Sequence, residues 1–79
     1  MSSKTPHEHH QTRDIVLSDR ERHYLGLVAR GQHPSHVALI TGADETEVKE
    51  TLERVRQRLG AANLLNAVSI ALLRGLIEH

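Results

Sequence analysis

The chain has 79 residues, with ten basic and ten acidic side chains, seven histidines, no cysteine and a single tyrosine as its only aromatic residue. That length suits one domain with a small core, since folding removes roughly 60% of the surface of so short a chain. The missing thiols exclude a disulfide frame and a cysteine nucleophile, the lone aromatic leaves no platform for stacking single-stranded bases, and the zero formal charge gives no overall field toward a polyanion.

Residues 1–14 contain no hydrophobic side chain after Met1 and carry Ser2, Ser3, Pro6 and His7-Glu8-His9-His10. Such a segment cannot offset its ordering entropy by burial, so a disordered, His-rich tail is expected, with one domain over residues 15–79. The pattern changes at Ile15. Ser18-Asp19-Arg20-Glu21 reads as a capping box, and Tyr24, Leu25, Val28 and Ala29 follow at helical spacing up to Gly31. Gly26 lies inside this first helix and costs about 1 kcal/mol relative to alanine. Pro34 suits the first position of a short second helix that runs to about Thr41 and ends at Gly42.

Asp44-Glu45-Thr46-Glu47 reads as a second capping box. It opens a third helix whose apolar residues Val48, Leu52, Val55 and Leu59 form one stripe, closed by Gly60. Asn63 can cap a fourth helix from Leu64 to Arg74, ending at Gly75, with Leu76 and Ile77 folding back. Alternation is absent and β-branched residues are scattered, so no strand is expected. The fold class that follows is all-α, four helices with short loops.

The fourth helix is apolar over more than one face. Ala67, Ala71, Leu64, Val68, Leu72 and Leu65 cover about half its circumference at 100° per residue, and Ile70 and Leu73 fall outside that arc. Such a helix needs two partners. The core supplies one; a second copy of the chain can supply the other in a two-fold dimer, through Leu64, Leu65, Leu72 and Leu73. The alternative is that the C-terminal residues or the first helix cover the extra leucines.

The order of these pieces resembles a known family. Leu17-Ser18-x-Arg20-Glu21-Arg22, Leu25-x-Leu27-Val28-Ala29-x-Gly31, Val37-Ala38, Val48-Lys49, Arg58-Leu59-Gly60, Asn63, Ala67-Val68 and Gly75-Leu76-Ile77 together look like a LuxR/GerE-type helix-turn-helix domain, registered without gaps from Leu17 to Ile77. With only the tail before it, the chain resembles the stand-alone members. The resemblance implies a dimeric transcriptional regulator that binds double-stranded DNA, with its third helix in the major groove and its last helix as dimer seam; with no apolar run after Met1, a cytoplasmic protein is the default expectation. On that reading Thr46, Lys49 and Glu50 face base edges, and Arg54, Arg56 and Arg58 are candidates for phosphates. No cofactor is implied.

The departures from the family pattern gather on the same surface. Glu47 stands where threonine is usual and Thr51 where histidine is usual. Asp44, Glu45, Glu47, Glu50 and Glu53 face Lys49 alone across the start of the third helix. Uncompensated carboxylates there repel phosphates. On the second helix, His33, Pro34, Ser35 and His36 replace polar and basic residues, and Leu39 and Ile40 are apolar where polar residues are usual. Either that helix is rotated or shifted, or its surface serves a protein partner. The competing function is accordingly a helix-turn-helix-derived interaction module, binding protein through the second or fourth helix.

The histidines raise metal binding. His7-Glu8-His9-His10 lacks the second ligand of the zinc-protease helix signature, because Gln11 stands there, so no metal site is expected. His33 and His36 read as exposed residues at a helix start. No nucleophile elbow, Walker loop or GxGxxG occurs, and the longest charge-free stretch, Leu59 to Leu73, is too short to span a membrane. No enzyme is expected.

Overall fold

The computed structural model describes residues 15–78. Within them the chain forms four helices and no strand: α1 (Asp19–Ala29), α2 (Pro34–Thr41), α3 (Glu45–Leu59) and α4 (Leu64–Leu73). The expectations for the tail, including His7, His9 and His10, lie outside the described residues.

Local chemistry sets each boundary. Ser18 and Glu21 make the reciprocal capping box of α1: Ser18 Oγ accepts the Glu21 N–H at 3.1 Å, and Glu21 Oε1 accepts the Ser18 N–H at 2.9 Å. Pro34 occupies the first turn of α2, and the residue before it supplies the cap, with His33 Nδ1 accepting the Ser35 N–H at 3.1 Å. His33 is therefore an N-cap as well as an exposed polar residue. Asn63 Oδ1 accepts the Asn66 N–H at 2.8 Å to start α4, which ends one residue earlier than expected, with Arg74 as its C-cap.

The capping box expected at Asp44 does not form. Asp44 is the N-cap residue of α3, but its side chain makes no cap hydrogen bond. Glu47, three residues on, is drawn away by long-range partners, because the Tyr24 hydroxyl and the Arg20 guanidinium compete for its carboxylate.

The core is built around α3, which touches all three other helices. Its stripe of Val48, Leu52, Val55 and Leu59 is buried together with Leu17, Tyr24, Leu25, Val37, Ala38, Ala67, Val68, Ala71 and Ile77. Two arginines near the end of α3 tie down the chain on either side. Arg56 donates to the Ala61 carbonyl at 2.7 Å, closing the turn into α4, while Arg58 donates to both Glu21 oxygens at 3.0 Å and to the Val16 carbonyl at 2.7 Å. The C-terminal segment folds back as expected: Leu76 N–H donates to the Ala71 carbonyl at 2.8 Å, and Ile77 is buried.

Candidate nucleic-acid interface

One face of α3 is left outside the core. Since Val48, Thr51, Leu52, Val55 and Leu59 point inward, helical spacing turns Thr46, Lys49, Glu50, Glu53, Arg54 and Gln57 to solvent. The residues expected at this surface divide into two groups. Thr46, Lys49, Glu50 and Arg54 lie together on the exposed face, whereas Arg56 and Arg58 are engaged within the fold.

The carboxylates of α3 are largely neutralised where they stand. Glu45 pairs with Lys49 at 3.0 Å in the i,i+4 order that suits a helix. Glu53 receives both Nε and Nη2 of Arg56, at 3.1 and 2.6 Å, and the Gln57 amide at 3.1 Å. The Arg56 hydrogen bond and charge hold the Glu53 carboxyl below its ordinary range against a smaller desolvation cost, and in return Glu53 raises Arg56.

Glu47 is the centre of a cluster that joins α1 to α3. Its Oε2 accepts the Thr51 hydroxyl at 2.9 Å and Arg20 Nη1 at 3.2 Å, while its Oε1 accepts the buried Tyr24 hydroxyl at 3.0 Å. The Thr51 hydrogen bond, with help from Tyr24 and Arg20, keeps the Glu47 carboxyl low despite some desolvation; burial and the facing carboxylate push Tyr24 up. Glu47 and Thr51 are thus bonded to each other across one turn of this helix. Sequence reasoning missed that link, although a spacing of four residues places positions 47 and 51 side by side on a helix. Arg20 and Tyr24 had no local signal.

That leaves Glu50 as the one α3 carboxylate without a hydrogen bond or ion pair among the described residues. Lys49 is exposed, and its pair with Glu45 is of the surface kind that contributes about 0.5 kcal/mol and opens readily. Arg54 donates only to Thr51 Oγ1, at 3.3 Å, among the described residues.

Two apolar surfaces complete the picture. On α4, Leu65 and Leu73 are 76% and 87% exposed, while Leu64, Ile70 and Leu72 are half-buried. Neither α1 nor the returning C-terminus covers the two exposed leucines. On α2, Val37 and Ala38 enter the core and leave Leu39 and Ile40 outside at 78% and 56% exposure. The helix is therefore not rotated to hide them, and from Gly31 to Ala43 no side chain bears a fixed charge. No group of three side chains able to hold a metal ion occurs among the described residues, and no described helix is long and apolar enough to cross a membrane. Comparison with protein-family models, with curated proteins and with solved structures matches nothing to this chain.

Proposed function

We propose that the chain is a small LuxR/GerE-type transcriptional regulator that binds double-stranded DNA as a homodimer, with α3 entering the major groove and α4 forming the dimer seam. The observation that carries the reading is the disposition of charge on α3. The acidic flank that makes this helix look unfit for phosphates is mostly satisfied internally, by Lys49, by Arg56, and by the group of Tyr24, Thr51 and Arg20. The surface left for a duplex then carries Thr46, Glu50 and Arg54, a mixture of donors and acceptors suited to base edges, with Lys49 joining them when its exposed pair with Glu45 opens. Arg56 and Arg58, in the last turn of α3, tie its C-terminal end to the turn into α4 and to the start of α1.

A gel-shift titration against random duplex at about 50 and 200 mM salt tests this. Retention that falls steeply with salt is expected, as is weaker binding to every duplex on Lys49→Glu. Absence of binding at the lower salt removes the reading. A second reading is favoured by one observation, the uncharged surface of α2 with Leu39 and Ile40 exposed. In it the chain is a protein-interaction module, and Leu39→Ser with Ile40→Ser abolishes its association while leaving its melting temperature intact.

A further inference from the structure

We infer that α3 reads a cytosine with Glu50 and a nearby guanine with Arg54, so that the preferred half-site carries a C·G pair, or a C and a G within two base pairs, opposite the middle of the helix. This rests on the DNA-binding reading above and names the sequence that surface recognises.

Sorting the polar side chains of α3 by what they have left to bond isolates the pair. Glu45, Glu47 and Glu53 are occupied, Lys49 is paired, and Gln57 donates to Glu53. Thr46 and Glu50 make no side-chain hydrogen bond among the described residues, and Arg54 makes only the long one to Thr51 while its charge acts on Glu21 of α1; the three stand at positions i, i+4 and i+8, one line along the exposed face. At the centre of that line is an acceptor-only carboxylate, followed by a donor-only guanidinium.

Base-edge chemistry then narrows the choice. In the major groove, guanine shows two acceptors and thymine an acceptor beside a methyl group, so neither offers a hydrogen to Glu50. Adenine offers its N6 amino group but sets the N7 lone pair next to it, against the second carboxylate oxygen. Cytosine presents its N4 amino group alone and fits. The fork of Arg54 matches O6 and N7 of guanine. Side chains four apart on a helix have Cβ atoms about 6 Å apart, within two base-pair steps of roughly 3.4 Å. The discrimination is sharpened by penalty: at a site without cytosine, Glu50 is desolvated beside phosphates with nothing to bond.

The test is selection from a randomised duplex library at about 50 mM salt, using the full chain and the variants Glu50→Gln and Arg54→Ala, each first checked for an unchanged thermal melt. The wild type should enrich a cytosine with guanine on the same pair or within two pairs. Glu50→Gln should lose the cytosine preference at that position by about 5- to 100-fold, with adenine gaining because an amide pairs bidentately with it. The same variant should bind random duplex more tightly, since a charge that repels phosphates has gone. A purely structural role for Glu50 moves specific and non-specific binding in the same direction. Arg54→Ala should relax the guanine. An enriched motif lacking the C and G, or a cytosine preference that survives in Glu50→Gln, overturns the inference and leaves DNA binding standing. Folded wild type that retains no duplex overturns both.

Discussion

Glu47 shares two oxygens among three donors, and it is one of three carboxyls, with Glu21 and Glu53, held below their ordinary range. For Glu21, burial pulls the other way but is outweighed by the Ser18 N–H and by Arg58. A lowered folded-state value means that the unfolded chain binds protons first as the pH falls. The stabilisation is complete above the unfolded value of about 4.3 and is lost as pH drops through the lower folded values. Thermal melts should therefore show the full, pH-independent contribution of these groups between pH 8 and about 5, and a falling melting temperature below about 4.5. In Glu47→Gln the acid decline should be shallower, because one of the linked protons is gone. An identical decline in that variant removes Glu47 from the account. Tyr24→Phe offers an independent check, since loss of the hydroxyl should return the Glu47 carboxyl toward its ordinary titration, read by side-chain NMR.

At the scale of elements, two glycines in similar helical surroundings should respond with opposite sign. Gly26 is inside α1, and a Cβ built there meets nothing within 4 Å, so Gly26→Ala should stabilise by about 0.5–1 kcal/mol through helix propensity alone. Gly60 also has open space but sits at φ +68°, in the left-handed region, so Gly60→Ala should cost about 1 kcal/mol. Urea unfolding of the two variants decides both. The contrast also marks what the sequence makes legible. Helix starts and stops rest on neighbours within four residues, and Ser18, Pro34, Gly42, Gly60 and Asn63 all act where their spacing predicts. The roles of Glu47, Arg56 and Arg58 were not legible. Glu47 is claimed by a tyrosine 23 positions away, and Arg58 by a glutamate 37 positions away. Only the packing of α1 on α3 brings those partners close, so a basic residue that reads as free for phosphate also bonds within the fold.

For the whole molecule the exposed leucines of α4 are the strongest demand on a partner. Leu65, Ser69, Leu72 and Leu73 share one side of the helix, and the two leucines at its ends stand almost fully in water. In the proposed homodimer a two-fold axis would set this stripe against itself, and an inverted repeat would then require both α3 faces to point outward. The double variant Leu65→Lys with Leu73→Lys should sediment as a monomer at concentrations where the parent is a dimer. Its melt should no longer depend on protein concentration and should match that of the parent diluted to monomer, since neither side chain is in the core. It should also bind a two-half-site duplex no better than a single half-site. Sedimentation velocity and a paired gel shift read both outcomes, and a parent that sediments as a monomer at every concentration refutes the seam.

The bond between Glu47 and Thr51 bears on how such a surface can drift. Replacing Glu47 with threonine strands the buried Tyr24 hydroxyl, and replacing Thr51 with histidine removes the donor nearest the carboxylate. Either change alone should therefore destabilise, and the two together should cost less than the sum of the single changes, because both remove the same hydrogen bond. Positions 24, 47 and 51 should consequently behave as one energetic unit, their substitutions non-additive in unfolding measurements.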